Sequence, residues 1–178
     1  AQVTHDNSLA ISGACAIAAA TSASLAEKAT IEEAISAGVY GAIRGETKAK
    51  SVSRVVAGAS VVERIKLALQ IAEGAGSKEE KLLKLSQIIG SGLHISEAVP
   101  CAFGIAALNK DSALQAVIDA VNIGYDTDTI ATIVGTMVGA FVDFEDKNFL
   151  DLYDKVQKAN EINLIILADE LATAAKVG

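Results

Sequence analysis

The residues best suited to chemistry lie together at Gly124-Tyr125-Asp126-Thr127-Asp128-Thr129, where carboxylates and hydroxyls crowd directly ahead of an apolar run beginning Ile130-Ala131. Side chains two apart share a face in extended backbone, whereas on a helix they point to different sides. Asp126 and Asp128 are therefore expected to converge in an extended segment, with Thr127 turned away and Thr129 near the first helical turn. Two carboxylates held together repel at a cost in stability. The free N–H groups and positive end of the following helix offset part of that cost. A hard divalent ion offsets more, since Mg²⁺, Mn²⁺ and Ca²⁺ all prefer carboxylate and hydroxyl oxygens. The alternative is a capping cluster, with Asp126 or Asp128 as the N-cap of a helix starting at Thr129. One Asp satisfies that role, so the second Asp and the flanking Thr residues need another reason. Spacing leaves both readings open.

Two further stretches carry polar groups in loops. Thr4-His5-Asp6-Asn7-Ser8 reads as a polar loop ending in an N-cap, and the helix behind it is expected to offer free backbone N–H groups to an anion. In Gly90-Ser91-Gly92-Leu93-His94, two glycines two apart let the backbone approach a neighbour closely or take positive φ. The plain alternatives are a surface loop and an ordinary helix–helix connection. His5 and His94 fall in these loops rather than on apolar faces, and no Ser–His–acid or Cys–His arrangement can be assembled by spacing.

The elements that position these groups read as helices. The chain has 178 residues, enough for one domain with a substantial core and too few for two comfortable ones. Much of its 51% hydrophobic content is Ala, and the alternation that marks strands is hard to find. An all-α fold is expected. A first helix runs from about Leu9 to Lys28, and the capping box Thr30-Ile31-Glu32-Glu33 starts a second, running to about Thr47. Gly38, Gly41 and Gly45 along it suggest close packing. A third spans Val52 to Glu73, and Ser77-Lys78-Glu79-Glu80 opens a fourth, to Ile89. Ser96-Glu97 restarts a helix with Pro100 in its first turn, and Asp111-Ser112 caps another that ends at Gly124. Ala131, Gly135 and Gly139 recur on one face of the Thr129–Phe141 helix, a pattern of tight helix crossing. Helices near Phe149–Lys158 and Ile162–Lys176 close the chain, with Asp151, Asp154, Lys155 and Lys158 as a solvated face.

Composition excludes several partners. With 15 Lys and Arg against 22 Asp and Glu, and no basic stripe, nucleic acid is not expected. The apolar stretch Ile130–Val142 is well short of the roughly 20 residues that span a bilayer, so no membrane association is expected. Cys15 and Cys101 read as free thiols in a reducing, cytoplasmic compartment. The opening Ala1-Gln2-Val3-Thr4-His5 lacks an initiator Met and runs at once into a polar loop, which suggests a fragment or a processed chain.

Taken together, Thr4 to Ala14, Gly90 to Leu93 with Glu97 to Ala102, and Gly124 to Ala131 with Gly135 and Gly139-Ala140 resemble the ADP-ribosylglycohydrolase family. That family includes the dinitrogenase-reductase-activating and ADP-ribosylarginine hydrolases. The likeness extends over essentially all 178 residues and covers the C-terminal part of a family member, so residues 1–178 are expected to form a single all-α domain that is the C-terminal portion of a larger one. It implies an orthogonal multi-helix bundle around two Mg²⁺ or Mn²⁺ ions, with Asp126, Asp128 and Thr129 as metal ligands. It places His5, Asn7 and Ser8 on the loop approaching the ADP-ribose diphosphate, and Ser91, Gly92 and Leu93 on the loop lining the pocket, with Gly124 beside them. The implied reaction is hydrolysis at C1″ of the distal ribose of an ADP-ribosylated protein or ADP-ribose conjugate, whether the linkage is to arginine, serine, a polymer or an O-acetyl ester. The family's Thr-Asp-Asp metal ligands and its acidic catalytic residue belong to an N-terminal part outside this sequence, so a second polypeptide carrying that part is implied. Tyr125 stands where a Gly is usual. Two other readings compete: a non-catalytic ADP-ribose-binding relative, and a helical scaffold in which the Asp-Thr-Asp-Thr run is only a cap.

Overall fold

A computed structural model describes residues 1–177. Residues Ala1–Val142 form one compact unit with α1 (Ser8–Ser24), α2 (Ile31–Val52), α3 (Val61–Glu73), α4 (Lys78–Lys84), α5 (Ile95–Leu108), α6 (Ala113–Asn122) and α7 (Thr127–Val138). The chain leaves α4 through a π-helical turn, Leu85–Ile89, and α7 through a 3-10 turn, Gly139–Phe141. A second unit begins at Asp143 and holds α8 (Lys147–Asn160) and α9 (Leu164–Val177). Among the described residues there is no sheet, only an isolated parallel bridge between Asn7 and Arg54. The fold is all-α.

Helix α5 is the centre of the first unit, and its sequence explains why. ISEAVPCAFGIAAL is apolar or small around its whole circumference, the signature of a helix with no solvent face. Ten of its 14 residues are buried, and α1, α2, α3, α6 and α7 all pack against it. Phe103 is the largest fully buried side chain, and replacing such a ring by Ala typically costs about 3–5 kcal/mol. Burial pushes the Cys101 thiol up to about 12, so it behaves as a small core hydrophobe. Helices α1 and α2 approach closely because Gly41 and Gly45 carry no side chain. A Cβ at Gly45 would lie 2.7 Å from Cys15 Cβ, and one at Gly41 would strike the Cys15 carbonyl.

The capping signals hold in detail. Glu33 N–H donates to Thr30 Oγ1 at 3.1 Å while Thr30 N–H donates to Glu33 Oε2 at 2.9 Å, and Ser77 and Glu80 repeat the pattern at 3.2 and 2.9 Å. Ser112 caps α6 by accepting from Gln115 N–H at 3.2 Å. Several boundaries differ from expectation. Helix α1 begins at Ser8, capped by Asn7, and ends at Ser24 rather than Lys28. Helix α2 continues to Val52, and residues 53–60, expected to open a helix, run irregularly to α3. The reason is tertiary: Ser8 N–H donates to the Arg54 carbonyl at 2.9 Å and Arg54 Nε to the Asp6 carbonyl at 3.1 Å, which hold this strip against the first loop. Pro100 lies in the second turn of α5, not the first. The Gly135–Gly139 stripe makes no tight crossing. A Cβ at Gly139 would meet nothing within 4 Å, and one at Gly135 only Val117, at 3.9 Å.

In the second unit, Asp146 caps α8 by accepting from Asn148 N–H at 2.8 Å, and Phe149 packs edge-on to Phe144 with centroids 5.3 Å apart. Asp151, Asp154, Lys155 and Lys158 are exposed, as a solvated face requires. No described helix is long and apolar enough to cross a membrane.

Candidate functional site

The glycine loop between the π turn and α5 joins the other two candidate loops. Its Ser91 is buried, and the Ser91 carbonyl accepts from Asp126 N–H at 3.0 Å. Gly90 takes φ +88°, and Gly92 N–H donates to Glu97 Oε2 at 3.2 Å. A Cβ at Gly92 would lie 2.6 Å from Tyr125 Cε1, so the Tyr125 ring rests on this glycine. The ring itself is 81% exposed. Tyr125 holds φ +61° next to Gly124 at +92°, a left-handed pair that costs a non-glycine residue about 1–2 kcal/mol. That conformation is the physical reason a Gly suits position 125, and the ring covers the loop rather than standing clear of it.

The acids are not extended. Helix α7 begins at Thr127, with Asp126 in the N-cap position at φ −90°, ψ 60°, and Asp128 in the first turn. Ser91 fixes the Asp126 N–H, and the Asp126 carbonyl already accepts from Ile130 N–H at 3.2 Å, so helical geometry starts two residues earlier than expected. Helical backbone from Thr127 onward does not turn the two side chains to one side. Asp126 Oδ2 is buried with no hydrogen-bond partner, while Asp128 and Thr129 face solvent. The capping alternative fails as well, because no side chain caps α7 although Asp126 occupies the place to do so. Among the described residues no Lys or Arg pairs with either acid, and no three His, Cys, Asp or Glu side chains converge to hold a metal. An orphaned carboxylate oxygen, a free carboxylate and a Thr hydroxyl within one helical turn fit part of a hard-cation shell.

Between the first loop and the glycine loop lies a cleft of about 580 Å³. His5 and Asn7 line it on one side, Leu93 and His94 on the other, with Val56 and Ala57 from the irregular strip before α3. Leu93 is largely exposed into solvent, whereas Ser8, Ser91, Gly92 and Gly124 do not line the cleft. The expected free N–H groups of α1 are mostly taken. Ser8 N–H is bound to Arg54, and Ala10 N–H donates to Asn7 Oδ1 at 2.9 Å, which leaves the Asn7 side-chain NH₂ as its free donor. His94 caps α5: its Nδ1 lies 3.3 Å from Ser96 N and 2.7 Å from Ser96 Oγ, which leaves Nε2 as the ring nitrogen without a partner among the described residues. Val56 and Ala57 are cleft residues that spacing did not single out. Nor did it mark Asp6, whose Oδ1 is buried without a partner. Their signal was tertiary, the Asn7–Arg54 bridge that brings strip and loop together.

A sequence model of the family described as ADP-ribosylglycohydrolase matches residues 1–177. The chain belongs to the ADP-ribosylglycohydrolase family. It is also similar to the "Uncharacterized protein YegU" of Escherichia coli (strain K12), 31% identical over 137 residues, which are 77% of this chain and 40% of that protein. The chain thus spans about 40% of the length of that relative. No solved structure matches. Within this ADP-ribosylglycohydrolase chain the motif stretches meet in sequence order through the glycine loop, which touches the acidic turn at Ser91–Asp126 and walls the cleft with Leu93 and His94.

Proposed function

We propose that this chain carries one side of the site of a divalent-metal-dependent hydrolase, which removes ADP-ribose from a modified protein or small ADP-ribosyl conjugate by cleavage at C1″ of the distal ribose. The observation that carries the reading is Asp126, whose backbone is fixed to the glycine loop while its Oδ2 is buried and unpartnered. A buried carboxylate oxygen left without a donor costs about 1–3 kcal/mol, a cost that a ligand meeting it would relieve. Asp126, Asp128 and Thr129 would hold a Mg²⁺ or Mn²⁺ pair, which when bound supplies Lewis acidity and orients a water. The chain's own residues bind and orient. Leu93, Val56 and Ala57 give the cleft apolar walls, and the His94 and His5 rings and the Asn7 NH₂ give it polar groups suited to a diphosphate. Ser8, Ser91, Gly92 and Gly124 act through backbone shape. The remaining metal ligands and the catalytic acid belong, on this reading, to a part of the family domain that this sequence does not span. Two free thiols suit a cytoplasmic setting for such an enzyme.

A non-catalytic ADP-ribose binder is the second reading, favoured by Tyr125. It stands next to Asp126 in sequence, and its ring rests on Gly92, where a glycine at position 125 would leave the loop uncovered.

The test is thermal unfolding with ADP-ribose, with and without Mg²⁺, alongside intact mass spectrometry to count polypeptides. Ligand at 100 times its Kd adds about 2.7 kcal/mol. For a chain of this size that is a Tm rise of about 5–10 °C, expected only with both ligands present. In Asp128→Asn, a change at an exposed side chain, the stability in chelator should stay within about 0.5 kcal/mol of the parent while the Mg²⁺-dependent rise in Tm disappears. An intact Mg²⁺ response in that variant rejects the metal assignment. A lone 18.2 kDa species indifferent to both ligands rejects the hydrolase reading for this chain.

A further inference from the structure

The glycine loop is held from beneath by two side chains that do not line the cleft. Pro100 has no N–H, so the Ser96 carbonyl, four residues earlier, has no helical partner. The Ile89 carbonyl closes the π turn, where the helix does not continue. Half-buried Arg64, on α3, takes both: its Nη1 donates to Ile89 O at 2.9 Å and to Ser96 O at 3.1 Å. Those carbonyls flank the loop, and one guanidinium therefore clamps its two ends. Glu97 holds its middle. A Glu at the third position of a helix ordinarily turns back to the N-cap N–H. Glu97 instead reaches two residues further, to Gly92 N–H. The loop is wrapped around that carboxylate so closely that a Cβ at Gly90 or Gly92 would lie 2.8 or 2.7 Å from Glu97 Oε2. Gly-Ser-Gly is the sequence that permits it.

We propose that Arg64 and Glu97 are positioning residues for the candidate site. They fix the loop so that the Ser91 carbonyl holds Asp126 in place and Leu93 and His94 stand as one wall of the cleft. Pro100 belongs to the same device, because it reserves the Ser96 carbonyl for Arg64. The functional consequence rests on the hydrolase or binding reading of the site; the restraint on the loop does not.

The experiment compares Arg64→Ala, Arg64→Lys, Glu97→Ala and Glu97→Gln by amide hydrogen exchange in NMR spectra and by calorimetric titration of ADP-ribose with Mg²⁺. In Glu97→Ala, exchange at Gly92 and Asp126 is expected to accelerate by about tenfold or more while the core amide of Phe103 keeps its rate. Glu97→Gln, whose amide oxygen accepts the same N–H, restores most of that protection. Arg64→Ala loosens the same two amides, and Arg64→Lys, with one ammonium for two carbonyls, rescues in part. ADP-ribose affinity falls in step with exchange across the series. Unchanged protection at Gly92 and Asp126 in both Ala variants overturns the proposal, as does an equal loss at Phe103, which marks general destabilisation. A parent chain that shows the exchange pattern but binds no ADP-ribose upholds the restraint and removes the reading of the site.

Discussion

Replacing Asp126 by Asn is expected to stabilise the metal-free chain. The carboxylate stands in the N-cap position of α7, yet it caps nothing, and its Oδ2 is buried without a donor. The Asn amide puts a neutral atom in the same unpartnered place, so it removes the buried charge rather than the orphan; an unsatisfied polar group costs about 1–3 kcal/mol, and more when it is ionised. Against this, a negative charge near a helix N-terminus is favourable by about 0.3–1 kcal/mol. Asn ranks with Asp as an N-cap, so no capping loss enters. The balance is a gain of about 0.5–2 kcal/mol, which for a chain of this size raises Tm by about 1–8 °C. Differential scanning calorimetry in EDTA reads that rise, and the same scans in excess Mg²⁺ should show the variant without the parent's metal-dependent increment. Asp126→Ala separates relief of the buried charge from any new bond the Asn amide forms, and it too should melt higher than the parent in EDTA. A lower Tm for both variants in EDTA would refute the reasoning, because it would mean that the carboxylate stabilises the free chain.

Tyr125→Gly removes the left-handed strain of about 1–2 kcal/mol and adds the glycine entropy cost of about 0.5–1 kcal/mol. Its urea midpoint should therefore match or exceed the parent's by up to about 1 kcal/mol at constant m. A loss larger than that would show that the ring's contact with Gly92 outweighs the strain. Lys78→Ala should cost about 1–3 kcal/mol at neutral pH, because it leaves Asp119 short of a donor. Burial raises the Asp119 pKa, but the hydrogen bonds from Lys78, Asn109 and Gln115 outweigh it, so the folded value lies below the ordinary one. A depressed folded pKa gives stability that is complete above the unfolded value and lost as pH falls through the folded one. Without Lys78 that loss begins at higher pH, which urea melts down the carboxylate range can follow. An acid profile identical to the parent's would contradict the role of the Lys78–Asp119 pair.

What the sequence could tell depended on whether a residue's partner was near it in the chain. Thr30 and Glu33, Ser77 and Glu80, and Ser112 before Ala113 announced helix starts because each cap and its N–H lie within one turn. Residues 53–60 looked helical because nothing before Gly58 breaks the pattern, and the bonds that straighten them come from Ser8 and Asp6. The alternation argument for Asp126 and Asp128 was sound for an extended segment. A carbonyl from the glycine loop, distant in sequence, instead sets the start of α7. Small residues told of a tight crossing correctly at Gly41 and Gly45, where α1 lies opposite, and incorrectly at Gly135 and Gly139, where among the described residues only Val117 comes within 4 Å, at Gly135. The motif loops were legible as polar groups between helices. Their meeting was not, because it runs through Arg54, Arg64 and Glu97.

The departures from local optimum collect where those loops meet. The π turn ending at Gly90, the positive φ angles of Gly90, Gly124 and Tyr125, the uncapped start of α7 and the orphaned Asp126 oxygen all fall between Leu85 and Asp128. Glu161 also takes positive φ, but it directly follows α8, where a left-handed residue ordinarily closes the last turn, and Lys28 does so in the turn between α1 and α2, away from the motif loops. Among the described residues, the buried unpartnered hydroxyl, Thr21 Oγ1, lies inside α1, whereas the buried unpartnered carboxylate oxygens, of Asp6 and Asp126, both sit on motif loops. Strain of this kind persists only where surrounding structure over-determines it. Around Asp126 that structure can be named: Ser91 holds its N–H, Glu97 and Arg64 hold the loop that carries Ser91, and Pro100 leaves Arg64 a carbonyl to bind. A chain that needed Asp126 only to begin a helix would require none of these restraints, since a side-chain bond from Asp126 to its own first turn would do.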